Sequence, residues 1–249
     1  MMNKKLLLKL EDLKNMIPEK ILGVYGGLGP AASAEFMRLL AAMAPAQRDQ
    51  EHPVVYLYSN AQTPDRTAAF MGKGESPENA LREGLMKLCS WGVNLLAVPC
   101  NTAHIFIDHF RAELPVPLIH IVEATVDDAM ASAPEGCWLI ATGATLDSGI
   151  YTHEAQHRGY RFWDVPDDVR SLVSDAIRHV KAGELAKSGV VMDEIGKRLW
   201  NIQEAPIVCA CTELPLAYDA SSLPPHMGIS SLKSLSRACL DVLYRAKQQ

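Results

Sequence analysis

Short apolar runs alternate along the chain with longer stretches of helical period. Residues 21–25, 54–58, 93–98, 118–122, 137–141 and 207–210 are strand-sized and rich in Val, Ile and Leu. Between them, apolar positions recur at helical spacing over 34–43, 122–130, 169–182 and 190–200. A further helix opens at Ser76-Pro77-Glu78, carries Leu81, Leu85, Leu88 and Cys89 on one face, and stops at Gly92. Strands alternating with helices predict an α/β fold with mainly parallel sheets.

The pattern is also stated twice. The strand at 21–25 runs into Gly26-Gly27-Leu28-Gly29-Pro30-Ala31, and the strand at 137–141 runs into Thr142-Gly143-Ala144-Thr145. Each is followed by a helix, more α/β, and a strand that ends in a cysteine, Cys100 in one half and Cys211 in the other. Two similar α/β lobes facing each other across a cleft are the expected architecture. The expected division is an extension at 1–20, a first lobe of 21–117 plus 226–249, and a second lobe of 118–225. The helix at 232–243 is expected to return to the first lobe. In open α/β sheets ligands bind at the carboxyl ends of strands, which is where both cysteines fall. Leu6, Leu7, Leu10 and Leu13 suggest an amphipathic helix in the extension.

Composition narrows the function classes. A 249-residue chain can bury a sizeable core. The formal net charge is −5 with no basic block, which counts against nucleic acid as a partner. No apolar run is long enough to span a membrane. The start, MMNKKLLLKL, carries only Leu6–Leu8 before Lys9 and lacks a small-residue cleavage site, so a cytoplasmic location is expected. Six cysteines at irregular spacing form no disulfide scaffold, and Cys209-Ala210-Cys211 is not a zinc-type CxxC. No metal and no cofactor are expected.

Two cysteine words carry the candidate chemistry. In Val98-Pro99-Cys100-Asn101-Thr102-Ala103-His104 a buried strand gives way at once to polar groups, and the proline breaks the ladder. In Ala210-Cys211-Thr212-Glu213-Leu214-Pro215 a strand again ends in a thiol, followed by a hydroxyl and a carboxylate. Either cysteine alone reads as well as a packed core thiol beside helix-capping residues. As a pair they suit inversion of a carbon centre, which needs one acid/base on each face. A thiol, with an ordinary pKa of roughly 8.5, serves near neutrality as either partner. Donors must also steady the carbanion, and Asn101, Thr102 and Thr212 stand beside the thiols. Cys209, two residues before Cys211, shares its face but sits deeper and reads as core. Arg66, in Pro64-Asp65-Arg66-Thr67, reads as a loop arginine suited to a carboxylate or to a surface ion pair. Thr142, Thr145 and Ser148 bond a ligand or cap a helix. Glu213 tunes the neighbouring thiol or pairs with a surface base. His104 reads as a helix-face residue that reaches Cys100 only if the chain folds back.

These words, in this order, resemble the aspartate/glutamate racemase family, most closely its aspartate racemase branch. The resemblance runs from about Ile21 to the C-terminus and also takes in Ala141-Thr142-Gly143-Ala144-Thr145-Leu146-Asp147-Ser148-Gly149-Ile150-Tyr151. It implies two α/β lobes around a small amino-acid substrate, a homodimer, and racemisation without pyridoxal phosphate or metal. It implies Cys100 and Cys211 as the two bases, with Cys211 serving the L-enantiomer and Cys100 the D-enantiomer. It also implies that Arg66, with Lys181 of Val180-Lys181-Ala182-Gly183, holds the distal carboxylate of aspartate or glutamate. The chain departs from the family at Ala210, usually glycine, at Ala61 and Gln62 near the arginine, and at Ile177, where some relatives carry tyrosine. Those departures bear on substrate choice. Hydantoin racemisation, maleate isomerisation, malonate decarboxylation and a non-catalytic dicarboxylate-binding module are the competing readings.

Overall fold

The computed structural model describes residues 17–245, so the expected helix of Leu6, Leu7, Leu10 and Leu13 lies outside the described residues. The first half consists of β1 (Leu22–Gly26), α1 (Pro30–Met43), β2 (Val55–Ser59), α2 (Arg66–Phe70), α3 (Glu78–Ser90), β3 (Leu95–Ala97), α4 (His104–Ile107), β4 (Leu118–Ile119) and α5 (Ile121–Ser132). The second half runs through β5 (Cys137–Ile140), α6 (Gly143–Asp147), α7 (Ile150–His157), β6 (Phe162–Trp163), α8 (Asp167–Lys181), α9 (Leu185–Ile202), β7 (Ile207–Cys209), α10 (Leu214–Asp219), β8 (Gly228–Ser230) and α11 (Ser231–Tyr244).

The strands form two four-stranded parallel sheets, ordered β2-β1-β3-β4 and β6-β5-β7-β8. The second order repeats the first with each strand shifted by four, so the duplication suggested by the chain is present in the topology. The α/β class and the two-lobed arrangement are as expected. Both faces of each sheet are covered, which explains why the strands read as continuous apolar runs. Side-chain alternation divides each strand between two cores. Leu22, Val24, Leu95 and Ala97 of the first sheet meet Cys137, Leu139 and Val208 of the second in a central core. The opposite faces pack outward. Leu96 and Val98 lie against Leu81, Leu85 and Leu88 of α3. Ile207 and Cys209 lie with Val173, Ile177 and Val180 of α8. Each such buried aliphatic side chain contributes about 1.5–3 kcal/mol over exposure.

The last helix of each half crosses to the other side. After β4 the chain enters α5, which packs on α7 and β8; after β8 it enters α11, which packs on α1 and β4. The strands do not cross with the helices. β4 pairs Leu96 with Leu118 in the first sheet, and β8 pairs Val208 with Ile229 in the second. The expected divisions after residues 117 and 225 therefore cut each sheet one strand early. Apolar pattern marks where a strand lies but not its neighbour, so a short run beside a helix is easily given to the wrong lobe. The expected strand at 118–122 is likewise shorter, because a helix takes over at Ile121. Strands β6 and β8, of two and three residues, are too short for periodicity to reveal.

Candidate active site in the interlobe cleft

The loops at the carboxyl ends of β1, β2, β3, β5 and β7 converge on one cleft between the sheets. It is lined by Leu28, Asp65, Arg66, Thr67, Cys100, Asn101, Thr102, Thr142, Lys181, Cys211, Thr212 and Glu213. Three larger hollows lie elsewhere on the surface of the described residues, and none of those three is lined by a cysteine. Both candidate thiols thus face one space, Cys100 after β3 and Cys211 at the corresponding place after β7. They retain 6% and 7% exposure, against at most 1% for Cys137, Cys209 and Cys239. That difference separates thiols open to a ligand from core thiols. As expected, Cys209 shares the outer-face core with Cys211.

The two turns give their thiols opposite electrostatic surroundings. Burial pushes the Cys100 thiol above its ordinary range, while the Arg66 charge and the Ala103 N–H pull it back. Cys211 is raised further. Burial is the largest cause, and the Glu213 carboxylate beside it adds to the rise, against weaker pulls from the Glu213 N–H and Lys181. The Cys211 Sγ donates to Glu213 Oε2 at 3.1 Å, and Thr212 Oγ1 donates to the same oxygen at 3.4 Å. Of the two expected roles for Glu213, the structure shows contact with the thiol. The Glu213 charge raises Cys100 as well, so one buried carboxylate acts on both sulfurs.

Glu213 also explains a glycine. Gly29 has φ +132°, and a Cβ there would come within 2.5 Å of Glu213 Oε1. The glycine word of the first lobe thus leaves room for a carboxylate of the second. Gly27, at φ +87°, is needed for its own turn, since a Cβ would meet the Asn60 backbone at 2.5 Å. Glu213→Gln is expected to lower the pH midpoint for alkylation of Cys211, because the negative charge that opposes thiolate formation is gone. Peptide-resolved iodoacetamide labelling across pH checks this; an unchanged or higher midpoint contradicts it.

Arg66 is not a loop arginine. It opens α2, whose N-cap Asp65 accepts from Ala68 N–H at 2.7 Å. Five residues are too few for helical periodicity to show, and only the Asp65 cap signals the helix. The guanidinium donates to the carbonyls of Leu28 at 2.9 Å, Pro64 at 3.1 Å and Thr63 at 3.3 Å, and its buried Nε has no partner. No carboxylate pairs with it among the described residues. Asp65, the nearest acid in sequence, is spent on its cap. A cation held by carbonyls and by the Cys100 thiol, with a donor unmade and no carboxylate partner, is suited to an incoming anion. Lys181, the last residue of α8, brings a second cation to the cleft from the other lobe.

Thr102, Thr142 and Thr145 form a triangle of hydroxyls, 2.8 Å between Thr102 and Thr145, 2.9 Å between Thr142 and Thr145, and 3.2 Å between Thr102 and Thr142. Thr102 and Thr142 face the cleft, whereas Thr145 is fully buried behind them and does not line it. The expected contact between Thr145 and a ligand is therefore replaced by a supporting one. Thr142 also caps α6, accepting from Thr145 N–H, so the expected capping role is present in a residue that lines the cleft. Ser148 bonds the Thr145 carbonyl instead of a cleft group. Asn101 lines the cleft, but its Nδ2 donates to Ser231 Oγ at 3.1 Å and its Oδ1 accepts from Tyr151 OH at 2.5 Å. At most one of its N–H donors is left for a ligand. Nothing local in the sequence marks Tyr151 or Ser231 as a partner for a distant asparagine.

The chain does fold back at His104, but onto the Cys100 carbonyl at 2.8 Å instead of the thiol. A carbonyl only accepts, so Nδ1 carries the proton. Burial, with the nearby His120, holds the ring well below its ordinary pKa and hence neutral. Among the described residues no group of three or more His, Cys, Asp or Glu is arranged to hold a metal ion, and no helix is long and apolar enough to cross a membrane.

Comparison with known proteins gives the same outline. The chain is 28% identical to the aspartate racemase of Picrophilus torridus, with a TM-score of 0.78 over 92% of this chain and 96% of that one. It shares its fold with the glutamate racemase of Campylobacter jejuni at 16% identity and a TM-score of 0.64, covering 92% of this chain and 88% of that one. It is 30% identical to the broad specificity amino-acid racemase RacX of Bacillus subtilis over 135 residues, 53% of this chain and 58% of the relative. The chain thus matches little more than half the length of that curated relative. The Asp/Glu/hydantoin racemase family model matches residues 26–238, which takes in both lobes, both cysteine turns and both cleft cations, so the chain belongs to that family.

Proposed function

We propose that this protein is a cofactor-independent amino-acid racemase acting on aspartate or glutamate, with Cys100 and Cys211 as a pair of thiol acid/bases. One observation carries the reading: two cysteines at matching strand ends of duplicated sheets line a single cleft. In this mechanism a thiolate on one face removes the α-proton and the thiol on the opposite face returns one. Following the family pattern, Cys211 takes the proton of the L-enantiomer and Cys100 that of the D-enantiomer. The α-proton is far less acidic than a thiol, so the carbanion must be steadied by donors around the α-carboxylate. Thr102, Thr142 and the free N–H of Asn101 supply them, joined by Thr212 when its hydroxyl turns from Glu213 to the substrate. Arg66 and Lys181 hold the distal carboxylate. Two cations in so small a cleft favour a dicarboxylic amino acid over an aliphatic one.

A second reading, turnover of several amino acids, is supported by the 30% identity to the broad specificity racemase. The family resemblance alone suggests a homodimer in the cytoplasm. The test is incubation with each L- and D-amino acid in heavy water, following α-deuteration and optical rotation. Aspartate or glutamate is expected to gain α-deuterium and lose rotation, in the presence of a chelator or a carbonyl reagent as well as without. Exchange across many side chains would select the second reading. Inversion of hydantoins with no exchange into any amino acid would overturn both.

A further inference from the structure

Tyr151 lies on α7 in the second lobe and is 1% exposed. Its hydroxyl reaches out of that lobe to Asn101, the residue next to the first thiol, at 2.5 Å. The other end of the same amide is held by Ser231, fully buried at the first turn of α11, which follows the second sheet. Both partners of the Asn101 side chain therefore come from the second half of the sequence, Tyr151 from the second lobe and Ser231 from the start of the helix that crosses back to the first. The turn after Cys211 is built differently. There the Thr212 hydroxyl bonds Glu213 within the same turn. The Cys100 turn, besides its local His104 bond, is tied across to the second lobe, whereas the Thr212 hydroxyl of the Cys211 turn bonds locally.

We propose that Tyr151 is a positioning residue for Cys100, fixing through Asn101 the turn that carries the first thiol against the opposite lobe. This inference rests on the two-thiol reading given above. A buried tyrosine needs a partner for its hydroxyl wherever it sits. Here one partner, Asn101, adjoins the thiol, so the bond ties the Cys100 turn to α7 of the second lobe, while Thr125 also bonds the phenol. Burial pushes the Tyr151 phenol well above its ordinary range, so it stays protonated and acts as the donor. The neighbouring Thr102, bonded to Thr142 and Thr145, ties the same turn to the second lobe at another point. Misplacement of a reacting group by about 1 Å costs on the order of 10²-fold in rate.

The test is Tyr151→Phe, which removes only the hydroxyl, with Ser231→Ala as the companion variant that releases the other end of the amide. Tyr151→Phe is expected to lower kcat by at least roughly tenfold, and up to about 10²-fold, with little change in KM. Peptide-resolved alkylation by iodoacetamide is expected to show a change in rate at Cys100 that exceeds any change at Cys211, whose sulfur also lies near the phenol. A tyrosine with a merely structural role would disturb both thiols together. Parallel changes at the two cysteines, or no change at either, would overturn the proposal. If Tyr151→Phe does not melt cooperatively, Ser231→Ala carries the same pair of readouts. Failure of the racemase reading is distinguishable, because it is a wild-type protein that turns over no amino acid, whereas the alkylation arm reads thiol placement without turnover.

Discussion

Cys100→Ala and Cys211→Ala are each expected to abolish racemisation while leaving a protein that melts as a single cooperative unit. General acid/base groups contribute typically 10²–10⁴-fold to a rate, and here each thiol is the only such group proposed on its face of the substrate. The loss in either variant is expected at or beyond the upper end of that range. The folded state loses little, because each thiol sits at the cleft edge with some exposure and removal of a single sulfur leaves no large void. The two variants differ in what survives. Each keeps one base, so each should still exchange the α-proton of one enantiomer with solvent without inverting it. Proton exchange in heavy water with pure D- and L-substrate reads this directly. By the assignment proposed above, Cys100→Ala retains exchange with the L-enantiomer and Cys211→Ala with the D-enantiomer. Inversion at near wild-type rate in either variant would remove the two-base mechanism.

Arg66→Ala is expected to cost far more with aspartate than with alanine. The guanidinium is held by three backbone carbonyls and has an unmade donor at Nε, so it is placed to bind but has no carboxylate partner among the described residues. A hydrogen bond to a charged group is worth about 1.5–3 kcal/mol, which is roughly a 10–150-fold loss in kcat/KM for the dicarboxylic substrate. Part of the loss will be common to both substrates, because the same charge also pulls down the Cys100 thiol. The difference between aspartate and alanine isolates the distal carboxylate from that shared effect. Arg66→Lys, which keeps the charge but loses the planar fork, is expected to fall between. Equal losses with the two amino acids would mean that Arg66 serves the thiol and the loop, not the substrate's side chain.

The site has an inbuilt asymmetry despite its duplicated frame. Cys100 stands by Arg66 and Cys211 by Glu213, so the charge beside each sulfur has opposite sign. Thiolate is therefore more readily held at Cys100 and thiol at Cys211. The proposed two-base mechanism passes through both protonation arrangements, and Glu213, which accepts from the Cys211 Sγ, favours the thiol form there. Lys181 acts on Cys211 in the opposite sense, though more weakly than Glu213.

Much of this was legible in the chain because it rests on local signals. Val, Ile and Leu runs bounded by glycine and proline marked strands β1, β2, β3, β5 and β7, and α8 and α9 followed from apolar spacing alone. The pairing of Cys100 with Cys211 was legible because a duplicated chain writes its strand ends twice. Other features depend on groups far apart in sequence. Gly29 answers to a carboxylate at position 213, and Asn101 to hydroxyls at 151 and 231. Thr145 reads like a ligand-binding hydroxyl, yet packing turns it behind Thr142. Strands β4 and β8 are short, and only their hydrogen bonds say which sheet they join. By itself the sequence determined the fold class and the two thiols, since periodicity and strand-end chemistry are carried by neighbouring residues. Only the tertiary structure decided which charge faces which sulfur and which residues hold the turns in place, because hydrogen bonds and Coulomb interactions act through space and leave no mark on local spacing.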